Sequence, residues 1–423
     1  MKLLIKNARI LDARSPYQSQ MLDLFIEDGI IRAIAVNVQA DAPIFDAKGA
    51  CVSCGWMDVG VQACDPGMEH REDLRSAAAA AAAGGYTAIA VLPNTQPVID
   101  SKSEILYIKQ QTQGFLVDCY PIGAISDNCA GKDISEMLDM HVAGAVAFSD
   151  GLKAVQHNSL MIKALQYAIA CNGILIHQPL DATIAPDGQM HEGLVSTMLG
   201  MKGIPVLAEA MMVQRDLQLL AYTQGRLHLA NISTAESVAH IREAKAKGLQ
   251  VTASVAALHL MFSDEAIAEF DANFKVMPPL RSEKDRQALI AGLQDDTIDF
   301  ISSNHVPVDE DGKKREFPYA DFGAIGLETA FGVACTALQE QLPLARLIEK
   351  LYLSPRKILN LELPEIAVGA MANLTIFDPT QRWTVQEGAI RSKSSNTPLI
   401  GHELTGRVLA IINNHQSEIF HHP

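Results

Sequence analysis

Near-continuous apolar runs alternate with helical stretches through most of this chain, and that alternation limits the folds open to it. The runs span residues 50–61, 86–92, 119–125, 145–148, 174–176, 227–232, 251–255 and 298–301. An apolar run without polar alternation fits a strand covered on both faces. A helix between two such strands is the connection that parallel pairing needs. Eight strands in this rhythm predict an α/β protein built on a (β/α)8 barrel. Both ends of the chain read differently. Residues 2–10 and 22–35 read as short strands, with Asp28-Gly29 as a two-residue hairpin turn. Beyond residue 365 short strand-like pieces return, among them 373–377. They are expected to join the N-terminal strands in one small β-sandwich. The expected division is 1–50 for the first part of the sandwich, 51–365 for the barrel and 366–423 for the rest of the sandwich.

The seven-alanine run at 77–83 is a strong helix former, and Gly84-Gly85 supplies its stop. Its small side chains suit close packing on the barrel. At 423 residues the chain is long enough for one large core plus a smaller one. The formal charge of −15 argues against nucleic acid and anionic membranes as partners. Lys6 follows Met1-Lys2-Leu3-Leu4-Ile5 too soon for a signal-peptide core. The longest uncharged stretch, 76–99, is broken by Gly84-Gly85 and Pro93, so no membrane span is expected. Seven scattered cysteines, an odd number, suit a reducing cytoplasm rather than a disulfide framework. Cys51 and Cys54 have the spacing of half a zinc site or a redox pair. No second such pair exists, and structural cysteines are the expectation.

The active site of such a barrel lies at the C-terminal ends of its strands. The first run ends in Asp58-Val59-Gly60-Val61-Gln62. Residues two apart on a strand point the same way, so Gly60 and Gln62 are expected on one face. Neither is a ligand for a zinc-type metal.

Several ordered motifs carry a resemblance. They are Asp65-Pro66-Gly67-Met68-Glu69-His70-Arg71-Glu72-Asp73, Ala83-Gly84-Gly85-Tyr86-Thr87, Leu92-Pro93-Asn94-Thr95 and Ala147-Phe148-Ser149-Asp150. Leu227-His228-Leu229-Ala230-Asn231-Ile232-Ser233-Thr234-Ala235-Glu236 follows, then Pro278-Pro279-Leu280-Arg281-Ser282-Glu283-Lys284-Asp285-Arg286. Gly326-Leu327-Glu328-Thr329-Ala330 and Arg391-Ser392-Lys393-Ser394-Ser395-Asn396-Thr397-Pro398 complete the set. In this order and spacing the chain resembles the dihydroorotases of the amidohydrolase superfamily over nearly its whole length.

The resemblance implies two zinc ions at the barrel mouth, an aspartate that relays a proton, and a substrate carboxylate held by arginine, asparagine and histidine. This chain departs from that pattern. Gly60 and Gln62 stand at the first-strand histidine positions, and Cys64 stands at the arginine position. Asp150 matches a bridging carboxylate and His177 a ligand histidine. Asn231 replaces a histidine, Asn304 the relaying aspartate and Val308 the substrate-binding histidine. Asn94 matches the substrate-binding asparagine, and Met277 replaces a second one.

Of the six metal-associated positions only Asp150 and His177 keep ligand chemistry. A catalytic zinc uses about three protein ligands plus water. Loss of the general base alone costs roughly 10²–10⁴ in rate. A lone histidine at a strand end is commonly a hydrogen-bonded core residue, and Asp150 reads equally well as a hydrogen-bond acceptor near the mouth. His70 and His191-Glu192 are expected at the surface or at helix starts, and His228 and His259 packed against the barrel. The expectation is therefore a catalytically silent dihydroorotase homologue, with no zinc or other cofactor. By resemblance it would serve as a cytoplasmic structural subunit for the aspartate transcarbamoylase catalytic chain, itself a homodimer or higher oligomer. The alternative is an active dihydroorotase or other cyclic-amide hydrolase with an altered single-metal site on Asp150 and His177, assisted by Gln62, Asn231 or Asn304.

Overall fold

A computed structural model describes residues 1–420. The first strands are β1 (Lys2–Ile10), β2 (Met21–Glu27), β3 (Ile30–Ala35), β4 (Ile44–Asp46) and β5 (Cys51–Cys54). Asp28 and Gly29 both take positive φ, 52° and 71°, as the primed turn between β2 and β3 requires. The barrel strands are β6 (Trp56–Val61), β7 (Tyr86–Val91), β8 (Asp118–Gly123), β9 (Ala147–Phe148) and β10 (Leu175–His177). A small parallel ladder of β11 (Met190–His191) and β12 (Gly203–Ile204) interrupts them. The barrel then resumes with β13 (Leu227–Leu229), β14 (Val251–Ala256) and β15 (Phe300–Ser302). The C-terminal strands are β16 (Leu374–Thr384), β17 (Glu403–Asn413) and β18 (Gln416–Ile419).

The eight barrel strands pair in the order β15-β14-β13-β10-β9-β8-β7-β6, all parallel, with helices between them. The architecture is the expected (β/α)8 barrel. At the seam, Gln62 N–H donates to His305 O at 3.0 Å and Ser303 N–H to Asp58 Oδ1 at 3.0 Å. These bonds tie the end of the first barrel strand to the end of the eighth.

Both chain ends meet in one continuous sheet ordered β18-β17-β16-β5-β1-β2-β3, with β4 paired to β1. The join is antiparallel, with Cys54 opposite Leu374 and Cys51 opposite Phe377. The single apolar run at 50–61 is therefore two strands, one in each sheet. Gly55 makes the break: its N–H donates to Asn373 O at 2.9 Å, and a Cβ there would sit 2.1 Å from Asn373 and 2.2 Å from Thr87. Next to it the buried Trp56 ring lies 4.5 Å from Phe331 and 5.1 Å from Phe377, which fastens barrel to sheet. Edge and tilted aromatic contacts of this kind add to simple burial.

The alanine run forms α1 (Leu74–Ala83), opened by a capping box between Asp73 and Ser76. Gly84 ends it against the Leu327 carbonyl, where a Cβ would come within 2.0 Å. Two of the family motifs also brace the barrel from outside the site. Glu209 accepts the backbone N–H groups of Ser233 and Thr234, and the buried Arg281 donates to Ile204 O at 2.5 Å. His191 is buried against Arg281 and not at the surface, because β11 turns it inward; His70 is exposed. His228 and His259 are buried in the barrel wall.

Candidate functional site

The first barrel strand does not hold its alternation to the end. The ladder between β6 and β7 slips between Val59 and Val61, and Gly60 has φ +94°. That slip separates the two positions expected to share a face. Gly60 borders the centre of the barrel, while Gln62 lines a vestibule outside it. A side chain at 60 would meet nothing within 4 Å, so backbone conformation rather than space favours glycine there. Gln62 is buried; its Nε2 donates to Asn94 O at 2.6 Å, and its Oε1 has no partner.

The two positions with ligand chemistry are committed to the protein. Asp150 Oδ1 accepts the N–H groups of Ile125 and Ser126, each at 2.9 Å, and Oδ2 accepts the Ser126 hydroxyl at 2.5 Å. Burial still holds its carboxyl above the usual range. His177 has both ring nitrogens engaged. Nε2 accepts the Val155 N–H at 2.8 Å, which leaves the proton on Nδ1, 2.6 Å from Asp216. Asn94 spans the Asp150 carbonyl and the Leu152 N–H.

The remaining positions form a chain of amides. Ser302 donates to Asn231 Oδ1 at 2.6 Å, Asn231 Nδ2 to Asn304 Oδ1 at 3.0 Å, and Asn304 Nδ2 to the Met277 carbonyl at 3.2 Å. Both asparagines take positive φ, 53° and 49°. The space they border with Gly60, His228 and Gln178 is only about 20 Å³. That is room for about one water.

These residues do not fit a zinc pair. His177 has no free lone pair, Asp150 already accepts two backbone N–H groups and a hydroxyl, and the other positions offer amides or glycine. Among the described residues no group of three or more His, Cys, Asp or Glu could hold a metal. A single-metal site on Asp150 and His177 would need the His177 lone pair that the Val155 N–H occupies.

Outside the centre lies a cavity of about 330 Å³. Gln62, Cys64, Arg71, Gln189, Lys275 and Val308 are among its walls. Burial and the nearby Glu72 push the Cys64 thiol up to about 12, so it is no nucleophile at neutral pH. Arg71 reaches Asp309 at 2.9 Å and Asp321 at 3.2 Å. Lys275 is 2% exposed, and its ammonium donates to the carbonyls of Phe317 (2.8 Å) and Pro318 (3.1 Å). Burial pulls it down to about 8.

Comparison with known proteins decides the family. The dihydro-orotase-like family model matches residues 49–237. The dihydroorotase of Syntrophus aciditrophicus (strain SB) is 41% identical over 414 residues, 97% of each chain. That of Pelotomaculum thermopropionicum (strain DSM 13744 / JCM 10971 / SI) is 43% identical over 415 residues, again 97% of each. The chain belongs to the dihydroorotase-like family of the amidohydrolase superfamily. Among solved structures it is similar to the L-hydantoinase (dihydropyrimidinase) of Arthrobacter aurescens. The TM-score is 0.86 at 24% identity, over 99% of this chain and 97% of that one.

These relatives overturn the expectation of a silent scaffold for aspartate transcarbamoylase. Curated dihydroorotases about 40% identical match this chain from end to end, and their name is that of the enzyme. The six substituted ligand positions are outweighed by a match that runs through 97% of the chain. The count of ligand positions also misses groups that the folded chain brings together. Glu72 is fully buried against His305 (3.3 Å) and the Ser392 hydroxyl. The pairing of motif charges in 65–73 with 391–398 was the available signal. Lys275, Gln189 and Asp321 carry no motif, and only the folded chain places them.

Proposed function

We propose that this protein is a cyclic-amide hydrolase acting on the dihydroorotate class of substrate, through a mouth altered from the family pattern. The observation that carries the reading is the end-to-end match to curated dihydroorotases, 43% identical in one case. A vestibule of about 330 Å³ with cationic and amide walls supports it, since a small polar ring is the size it takes.

Zinc would supply a polarised carbonyl and an activated water. The residues present do not fit it, so activity is expected without stoichiometric zinc. A homodimer, a complex with an aspartate transcarbamoylase chain and a cytoplasmic location belong to the proposal on family resemblance. Seven free cysteines, six of them buried, support the last of these. No described helix is long and apolar enough to cross a membrane.

The test is turnover of dihydroorotate and cyclisation of carbamoyl aspartate by the purified chain, with and without chelator. Turnover above background that survives chelation is the expected result. Background rates in both directions, with and without added divalent metal, would overturn the reading. Size-exclusion chromatography with the transcarbamoylase chain, mixed and separate, tests the assembly.

A further inference from the structure

The vestibule holds three polar groups whose chemistry is unspent. Lys275 is buried, yet it meets only two carbonyls and the rings of Phe322 (4.8 Å) and Phe317 (5.4 Å). The acidic group that acts on it, Asp321, is paired with Arg71. A second buried ammonium, Lys313, donates to the Lys275 carbonyl at 3.2 Å and adds to the local positive charge. A buried cation without a counter-ion is costly, and an anion beside it relieves that cost.

The other two groups are amide oxygens. Gln62 Nε2 is fixed on Asn94 O at 2.6 Å and Gln189 Nε2 on Asp187 O at 3.0 Å. Those bonds set the amide orientation, and both Oε1 atoms are then buried acceptors without a donor. Two unfilled acceptors and one unpaired cation therefore border one small cavity. The complementary ligand carries a carboxylate and ring N–H groups on a body of a few atoms.

We propose that Lys275, flanked by Arg71, binds the carboxylate of an anionic cyclic ureide in this vestibule, with Gln62 and Gln189 accepting its ring N–H groups. The carboxylate cation thus comes from the loop after β14, in place of the first-strand arginine position now held by Cys64. The assignment rests on the hydrolase reading for its substrate class, but its test does not depend on turnover.

Calorimetric titration of the full chain with orotate and with uracil, the same ring without the carboxylate, separates the terms. Orotate should bind at least tenfold more tightly than uracil. Lys275→Met should weaken orotate about tenfold to a hundredfold, the range for a hydrogen bond to a charged group, and leave uracil nearly unchanged. Gln62→Leu should weaken both rings. Equal affinity for the two rings in the unaltered protein overturns the assignment, and so does a folded Lys275→Met protein that keeps its orotate affinity. If Lys275→Met does not fold, the orotate-to-uracil ratio and the Gln62→Leu result decide. Orotate binding with this pattern but no turnover sinks the hydrolase reading and keeps the subsite. Turnover that treats dihydrouracil and dihydroorotate alike does the reverse.

Discussion

His177 Nδ1 lies 2.6 Å from Asp216, and that contact decides what the histidine can do. It places the ring proton on Nδ1 and turns Nε2 to the Val155 N–H. Asp216 is fully buried and also receives Arg215 at 2.5 Å and 3.0 Å. The position that reads as a metal ligand in sequence is one end of a structural triad centred on Asp216. Asp216→Ala strips the acceptor from both neighbours. Breaking a buried pair from one side costs roughly 3–5 kcal/mol, and a loss of that size is expected in urea unfolding. A loss near 0.5 kcal/mol, typical of surface changes, would show that the triad contributes little.

Chelation should leave the folded protein as it was. A metal that binds only the native state raises stability by about 2.7 kcal/mol at a hundred times its dissociation constant. With His177 spent and amides at the other positions, added zinc should not move the melting temperature, nor should chelator. Elemental analysis should find far less than one zinc per chain. A stoichiometric zinc lost on His177→Gln would defeat this.

The barrel was legible because its strands are buried on both faces and so lose polar alternation, as in Val251–Ala256. The pairing of both chain ends was legible from the change of pattern at 50 and 365. The break at Gly55 was not, since a glycine inside an apolar run carries no sign of which sheet each half joins. The bulge at Gly60 was hidden for the same reason: alternation assumes a regular ladder, and the slip between Val59 and Val61 breaks it. Asp150 and His177 were found, but not their partners. Asp216 and Ser126 reach them from other elements, 39 and 24 residues away in sequence. Lys275 was invisible because an isolated lysine ordinarily reads as surface, and its burial under Phe317 and Phe322 is a tertiary fact.

Acid should unfold this protein through its buried histidines. Burial pulls His191 down to about 4, with Arg281 adding to it, and His259 down to about 4. His228, stacked 4.8 Å from Phe300 between Thr252 and Ser254, falls to about 3. A depressed folded value means that stability is present above the unfolded value of about 6.5 and is lost as pH falls from there toward 4. Each histidine should withdraw about 2 kcal/mol by pH 5. Melting temperatures between pH 7 and pH 5 should drop, and His228→Gln should flatten part of the drop. Unchanged melting over that interval would refute the assignment.

Asp58 works in the opposite direction. It is fully buried at the barrel seam, accepts the Ser303 N–H at 3.0 Å and the Ser303 hydroxyl, and lies near Tyr86 and His305. Burial raises its carboxyl from the ordinary 3.8 to about 6, against the pull of the Ser303 bonds. A raised folded value means that the native state holds the proton more firmly than the unfolded chain. The stability it contributes is complete below the unfolded value and is lost as pH rises through about 6. The difference amounts to roughly 3 kcal/mol of charge burial at neutral pH. Asp58→Asn keeps an oxygen for the Ser303 N–H and lets the hydroxyl turn to accept from the new amide. The variant should match the parent near pH 4 and exceed it at pH 7, in chemical unfolding followed across that range. A variant less stable than the parent at pH 7 would mean that the carboxylate's bonds to Ser303 outweigh its desolvation, and would overturn this prediction.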